Sequence, residues 1–358
     1  MKKILVFAMA FMFVLTLAAG AMAQKPLVKV PTCWMDSSEA FNIWYAKKMG
    51  WDKAEGLDIE MISFGSGPAQ MEALPAKQWV LGGTGVGGTL IGGMRYGIYL
   101  VGGVIPEDDV NAFYVRADSP ILKKKGFNPE YPDVYGTPET VKGATILLTS
   151  QTTVHYIIGK WLEILGLKES DVKITNMEMP SIVAAFEKGI GDVASVWAPI
   201  TFTAESRGWV KAGSTGTTKA YTSTVLVGDR EWCDKNPETA AKFLRVYYRV
   251  SQLMKAQGSS PEMVKAYQDF MNDFCGTKMT AEDAKKDMEV HPRWTLAEAV
   301  KLNDSSKGEA EMTRWQNQAA EFFTRMGRFS PAELEKFKKS GIVTDKFLKI
   351  AAQQPLPQ

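Results

Sequence analysis

A short polar loop separates a predicted strand from a predicted helix near the middle of the chain. The apolar run 144–148 is typical of a buried strand, and the polar residues 150–153 follow it. A helix comes next, because apolar residues recur from Val154 to Leu165 on one helical face before Gly166 ends it. Unpaired N–H groups at a helix start bind anions. The loop is therefore either an ordinary helix cap or part of an anion site.

Similar loops follow three predicted strands in the first hundred residues. The strand 29–31 leads to 33–38, the strand 57–64 leads to 65–68, and the strand 79–81 leads to the glycine-rich run 82–88. Glycines allow backbone amides to approach a bound group closely. The glycine-rich run also fits the dinucleotide pattern G-x-G-x-x-G. We reject that site because the next helix is interrupted by glycine and the chain is predicted to be exported.

Two aromatic side chains and one aspartate in these regions each have two interpretations. Trp34, at a strand end, is either a core aromatic residue or a surface on which a ligand rests. Asp36 either caps a helix or contacts a ligand. His155, near a helix start, is expected to be neutral and to donate one hydrogen bond, either to a ligand or to a neighbouring element. The other histidine, His291, is interpreted as a surface or packing residue.

Alternating strands and helices predict an α/β fold with parallel sheets. The order strand, proline-opened helix, short strand and turn occurs at 57–88 and again at 172–199, which indicates two similar lobes facing a cleft. The β-like segments 111–115 and 222–227 are interpreted as crossover strands that form a hinge. We expect lobe 1 to comprise 24–115 and 222–358, with its helical C-terminal part packed on it, and lobe 2 to comprise 116–221.

The first residues of the chain predict export. Lys2 and Lys3 precede an apolar run, and the small residues 21–23 form a cleavage site, so a signal peptide is expected to be removed after Ala23. The mature chain then carries equal numbers of basic and acidic residues, which argues against a nucleic-acid partner.

Three cysteines cannot all pair. A Cys233–Cys275 disulfide is conceivable in an oxidising compartment.

The sequence offers little for catalysis. It has only two histidines, far apart, and no cysteines or carboxylates at metal-ligand spacing, so no metal or other cofactor is expected. A G-x-S-x-G nucleophile motif is also missing from the sequence. We therefore predict that the protein is not an enzyme.

Several stretches are similar to periplasmic substrate-binding proteins of ABC importers. They include Val154-His155-Tyr156, Ala184-Ala185-Phe186 with Gly189, and Trp197-x-Pro199. The chain most resembles the nitrate-, sulfonate- and taurine-binding family, which is related to thiamine-pyrimidine-binding proteins. This resemblance implies a type II periplasmic-binding-protein fold, a monomer that closes on a small organic anion, and delivery to an inner-membrane ABC permease.

The resemblance also implies that loops of both lobes line the cleft. The chain departs from the family pattern at two places. Ala198 stands where many members have an aspartate, and residues 86–88 lack the acidic residue that members have there. The ammonium group of a taurine-like ligand would therefore have no obvious carboxylate partner unless Asp36 supplies one. A ligand-binding sensor partner and an enzyme of the pyrimidine-synthase-like branch remain the alternatives. The predicted ligand-binding residues are Trp34, Asp36, Ser37, Ser66, Gly67, Pro68, Thr84, Gly85, Ser150, Gln151, Thr152, Thr153, His155 and Trp197.

Overall fold

The computed structural model describes residues 26–357, and its framework is a pair of five-stranded sheets. The strands are β1 (Val28–Trp34), β2 (Leu57–Ser63), β3 (Leu81–Thr84), β4 (Ile98–Pro106), β5 (Asn111–Val115), β6 (Thr145–Leu148), β7 (Lys173–Asn176), β8 (Val193–Trp197), β9 (Val210–Ser214) and β10 (Ser223–Asp229). The order is β2-β1-β3-β10-β4 in the first sheet and β7-β6-β8-β5-β9 in the second. Each sheet forms the centre of one lobe.

Both sheets mix parallel and antiparallel pairs in the same way. In the first, β1 is parallel to β2 and β3, while β10 is antiparallel to β3 and β4. In the second, β6 is parallel to β7 and β8, while β5 is antiparallel to β8 and β9. The parallel strands therefore end along one edge of each sheet, where helix starts gather.

Helices cover the faces of the sheets. Several begin at a proline, whose fixed φ suits the first turn and whose missing N–H is not needed there. The α-helices are α1 (Phe41–Lys48), α2 (Trp51–Ala54), α3 (Gly67–Ala73), α4 (Val86–Ile91), α5 (Pro138–Val141), α6 (Thr153–Ile164), α7 (Met179–Glu187), α8 (Ile200–Ser206), α9 (Arg230–Lys235), α10 (Pro237–Gln257), α11 (Pro261–Asp273), α12 (Ala281–Val290), α13 (Leu296–Asn303), α14 (Glu311–Arg325), α15 (Pro331–Lys339) and α16 (Lys346–Ala351).

The chain passes between the two sheets at 107–110 and at 215–222. The strands that flank these passages, β5 and β10, coincide with the segments interpreted as crossover strands. By its hydrogen bonds β5 lies within the second sheet and β10 within the first. The residue numbers given for the lobe boundaries remain a prediction.

Helix α14, in the C-terminal part of the chain, packs on lobe 1, and its second half also reaches lobe 2. Near its start, the Met312 side chain lies against Gly103 of β4. Near its end, the Phe322 ring packs edge-on against Tyr156 of α6, with ring centroids 4.8 Å apart. A Cβ at Gly159 would lie only 2.2 Å from that ring, so glycine permits this close approach. One helix therefore contacts both halves of the molecule.

The predicted signal peptide lies outside the described residues. Within residues 26–357, no helix combines the length and the apolar character needed to cross a bilayer.

Candidate functional site

Two adjoining cavities lie between the lobes, at the carboxyl ends of β1, β2, β3, β6 and β8. The inner cavity has a volume of about 50 Å³ and the outer one about 480 Å³. Met35 from lobe 1 and Trp197 from lobe 2 line both, so the two spaces form one cleft. This is where open α/β sheets bind ligands.

The cavity walls contain about half of the predicted ligand-binding residues. Ser37, Gly67, Pro68, Gly85, Thr152, Thr153 and Trp197 line the inner cavity, and Asp36 lines the outer one together with Trp197. Ser66, Thr84, Ser150, Gln151 and His155 lie in the same loops or next to them but not in the walls. For all of these residues, contact with a ligand remains a prediction.

Trp34 lies in the core of lobe 1 and outside both cavity walls. Its indole Nε1 donates a hydrogen bond to Thr32 Oγ1 at 2.7 Å, and its ring stacks on Tyr247 with centroids 6.0 Å apart. These contacts agree with the first of its two interpretations, a core aromatic residue.

Four helix starts converge on the inner cavity. Their N-cap residues are Ser37, Ser66, Gly85 and Thr152, all with extended backbone; Ser37 begins the 3-10 turn Ser38–Ala40 that leads into α1. Gly85 has no side chain to accept a cap hydrogen bond, and the side chains of the other three accept none. The N-cap residue or the residue after it lines the inner cavity in each case. First-turn N–H groups that no cap side chain occupies are suited to an anionic group.

The backbones of the two lobes touch at the rim of the inner cavity. A Cβ at Gly87, in α4 of lobe 1, would lie 1.7 Å from the carbonyl oxygen of Gln151 in lobe 2. A real Cβ cannot occupy that position, so only glycine allows this contact. The structure is thus that of a cleft with its lobes closed against each other.

His155 holds the lobe 2 side of this contact. Gln151 has a left-handed backbone, with φ of 58°, and its N–H donates to His155 Nδ1 at 2.9 Å. The other ring nitrogen, Nε2, pairs with Glu169, which also accepts from Arg328 at 2.7 Å. His155 therefore accepts through Nδ1 and donates through Nε2, which is a neutral tautomer. It positions the Gln151 loop and does not line the cleft.

The carboxylate of Glu169 completes this arrangement. Partial burial works to raise its pKa, but the hydrogen bonds from His155 and Arg328, together with the charge of Arg328, outweigh burial and lower it. Glu169 is thus ionised at neutral pH, and by accepting from Nε2 it fixes the orientation of the His155 imidazole.

Two buried carboxylates in the wall of the inner cavity, Glu39 and Glu107, were not predicted from the sequence. Glu39 is 2% exposed and accepts hydrogen bonds from the Ser37 hydroxyl and from the Met35 N–H. Burial raises its pKa, although these hydrogen bonds work in the opposite direction. Glu107 is 5% exposed and is described below. An available signal was an acidic residue shortly after a predicted strand, at Ser37-Ser38-Glu39, and directly after an apolar run, at Ile105-Pro106-Glu107.

The outer cavity has a different character. Its wall is mainly apolar and includes Phe64, Met179, Ile200, Phe202 and Met279. Cys275 also lines it, and burial raises the pKa of that thiol. Cys275 and Cys233 are both free thiols in the structure, so the conceivable disulfide between them is not formed.

The sequence is similar to those of known proteins over most of its length. Residues 23–268 match the NMT1-like family. The chain belongs to the NMT1-like family. A putative ABC transporter periplasmic binding protein from Brachyspira hyodysenteriae is 28% identical over 266 residues, which are 73% of this chain and 75% of that protein. The taurine-binding periplasmic protein of Escherichia coli is 34% identical over 110 residues, 30% of this chain and 34% of that protein.

Solved structures agree with this assignment at the level of the fold. The aliphatic sulphonate binding protein of Escherichia coli gives a TM-score of 0.67 at 17% identity, with 86% of this chain and 91% of that chain covered. The nitrate-binding protein of Synechocystis PCC 6803 gives 0.67 at 13% identity, with 91% and 89% covered. The predicted two-lobe fold and the family resemblance are confirmed. These relatives are binding proteins, which also agrees with the prediction that the NMT1-like chain is not an enzyme.

Proposed function

We propose that the protein is an extracytoplasmic solute-binding protein that captures a small organic anion of the sulfonate, nitrate or carboxylate type. Lobes 1 and 2 close on the ligand about the two inter-sheet passages, and the loaded monomer delivers it to an ABC permease in the inner membrane. The signal peptide, cleaved after Ala23, directs the chain to the periplasm. The names of the curated relatives support transport across a membrane.

The observation that carries this proposal is the convergence of helix starts from both lobes on one cavity. Ser37, Ser66 and Gly85 bring helix starts from lobe 1, and Thr152 brings one from lobe 2. An anionic group in the inner cavity would accept from amides and hydroxyls of both lobes at once. Hydrogen bonds to a charged group contribute about 1.5 to 3 kcal/mol each, so three or four support micromolar binding after the costs of ordering.

Trp197 provides the apolar part of the site. It is half-buried at the end of β8 and lines both cavities, so it would lie beside the ligand wherever the ligand bridges them. Aromatic anchors of this kind contribute about 2 kcal/mol or more. We therefore expect Trp197→Ala to weaken binding about 30-fold.

The test is a thermal-shift screen of residues 24–358 against sulfonates, nitrate, carboxylates, amino acids and pyrimidines, followed by calorimetry on each hit. A ligand that binds the native state raises the melting temperature by mass action. Phe127→Ala is the matched control, because that aromatic side chain is 44% exposed and outside both cavities. Turnover of a hit, or equal affinity of the Trp197→Ala variant and the parent protein, would contradict the proposal.

A further inference from the structure

Two carboxylates lie in the wall of the inner cavity, where an anion-binding pocket would be expected to avoid them. Glu39 comes from lobe 1, and Glu107 lies at the first passage between the sheets. Both side chains are almost completely buried. A buried carboxylate is costly unless it is paired or fully hydrogen-bonded, so its retention beside a ligand cavity calls for a partner.

The hydrogen bonds of Glu107 fix its position. Its Oε2 accepts from Asn111 Nδ2 at 3.0 Å and from Thr222 Oγ1 at 2.9 Å, and its Oε1 accepts from Thr224 Oγ1 at 2.7 Å. Asn111 and Thr224 themselves line the inner cavity. A carboxylate has about four acceptor positions, so Glu107 is rigidly held and retains capacity for one more donor.

Glu39 has more capacity left. The Met35 N–H reaches its Oε1 at 3.3 Å, and the Ser37 hydroxyl reaches its Oε2. Two donors leave about two acceptor positions open on a side chain that forms part of the cavity wall. Both carboxylates therefore present open acceptor positions to the same small space.

Every hydrogen-bond donor to Glu39 and Glu107 in the described part of the chain is uncharged. Neither lysine nor arginine occurs in the wall of the inner cavity formed by residues 26–357. His291 lines it and its charge lowers the pKa of Glu39, but its Nδ1 lies 2.7 Å from the Asp287 carbonyl and 3.2 Å from Asp287 Oδ1, so its hydrogen-bonding partner is Asp287. The buried Arg293 donates to Ser38, Asn42 and the His291 carbonyl, outside the cavity wall.

The size of the inner cavity limits what can enter. A volume of about 50 Å³ holds roughly three to five groups of the size of a water molecule. That is enough for the ammonium and acidic groups of a compact ligand but not for a larger body. The adjoining outer cavity, at about 480 Å³ and with a mainly apolar wall, has room for the remainder of a ligand.

We propose that the ligand is a compact zwitterion whose ammonium group binds between Glu39 and Glu107 in the inner cavity. Its acidic group takes the amides and hydroxyls of the surrounding helix starts, and any apolar body extends into the outer cavity. This inference rests on the proposed solute-binding function and adds to it the second charge of the ligand. The two carboxylates determine specificity for ligands that carry an amine.

The test compares pairs of ligands that differ only in the ammonium group. Suitable pairs are taurine with ethanesulfonate, β-alanine with propionate, and phenylalanine with 3-phenylpropionate, each titrated calorimetrically into residues 24–358. We expect the ammonium-bearing member of at least one pair to bind at least about tenfold more tightly, since a charge-assisted hydrogen bond has that effect.

Glu39→Gln and Glu107→Gln then identify the residues responsible. Each substitution should reduce the preference for the ammonium-bearing member about 10-fold or more while leaving the affinity for its partner within about threefold. Two variants are used because Glu107 is tied into the passage between the sheets, and circular dichroism verifies that each is folded. Glu178→Gln is the matched control, since that carboxylate lines only the outer cavity.

The outcomes separate this inference from the function on which it rests. Equal or tighter binding of the members without an amine, or a preference that survives both Gln substitutions, would overturn the ammonium site and leave the solute-binding function intact. A complete lack of binding by every member would contradict the solute-binding function itself.

Discussion

Serine and threonine N-caps fall into two groups in this protein. Away from the cleft, these N-caps all accept a hydrogen bond from a first-turn N–H of their own helix. They are Ser119, which caps the 3-10 helix Pro120–Lys123, and Thr137, Ser260, Thr280, Thr295 and Ser330. At the cleft, Ser37, Ser66 and Thr152 do not. The same residue types therefore stabilise a helix in one place and leave its start open in the other.

The difference has a physical meaning. A cap hydrogen bond satisfies one of the orphan donors at a helix start and contributes about 1 kcal/mol to stability. A helix start without a cap hydrogen bond keeps its free N–H donor and the positive end of its dipole available to another acceptor, such as a bound anion. The cleft gives up local stability at three helix starts, and we attribute this to the requirements of ligand binding.

The largest effect is expected where the two lobes meet. If open helix starts of both lobes act on one ligand, preventing closure should remove their joint contribution. Gly87→Ala does this, because its Cβ would overlap the Gln151 carbonyl only when the cleft is closed. We expect affinity to fall by at least about 100-fold, the loss of roughly two hydrogen bonds to a charged group.

Calorimetry measures this loss, and small-angle scattering measures closure directly. The variant should keep the same radius of gyration with and without ligand, whereas the parent protein contracts. Gly65→Ala is the control, because a Cβ there would lie 3.4 Å from the flexible end of Glu178 across the same cleft. Ligand-induced contraction of the Gly87→Ala variant would show that the closed contact is not needed.

A smaller effect is expected from the residue that holds the loop of Thr152. His155→Phe keeps a ring at this position but removes the acceptor for the Gln151 N–H. The left-handed Gln151 should then relax, and affinity should fall about fivefold to tenfold, the value of one hydrogen bond. His155→Asn places an oxygen near the position of Nδ1 and should recover most of the affinity. If the two variants bind equally, the positioning role of this nitrogen is wrong.

A stability comparison addresses the two groups of caps themselves. Thr295→Ala removes a cap that accepts from the Glu298 N–H at 3.3 Å, and should lower the free energy of unfolding by about 1 kcal/mol. Thr152→Ala removes no cap hydrogen bond and should cost less, although its hydroxyl does donate to the Thr149 carbonyl at 2.7 Å. Urea denaturation measures both. Equal costs would remove the distinction between the groups.

The distinction was partly visible in the sequence. Thr295 and Ser330 are followed three residues later by Glu298 and Glu333, the pattern of a capping box, while the cleft N-cap Thr152 is followed by His155. The alternation of strands and helices also predicted the loops that form the cleft. The structure places 7 of the 14 predicted ligand-binding residues in the wall of the inner cavity, counting Trp197.

Other features depended on contacts between distant parts of the chain. Glu107 belongs to the site because Thr222 and Thr224, more than a hundred residues later, hold its carboxylate. Trp34 follows a predicted strand as a ligand-contacting residue would, yet Tyr247 covers it in the core. No local sequence pattern indicates that Thr222 and Thr224 bind Glu107 or that Tyr247 packs on Trp34. Such relations appear only when the lobes are assembled.

The smallest effect on stability is expected from the Glu298 carboxylate, which lies at the helix start capped by Thr295. At Thr295 the Glu298 carboxylate accepts from Lys255 and from the Thr295 N–H, and these contacts lower its pKa to about 2. Because the pKa is depressed in the folded state, the stabilisation is complete above the unfolded pKa of about 4.3 and is lost as the pH falls towards 2. Glu298→Gln should therefore lower the free energy of unfolding at pH 7 and change it little near pH 2.

The Glu298 side chain is 38% exposed and screened by solvent, so the cost should stay below about 1 kcal/mol. Denaturation of both proteins at the two pH values measures it, and a cost independent of pH would mean that packing rather than charge stabilises this helix start.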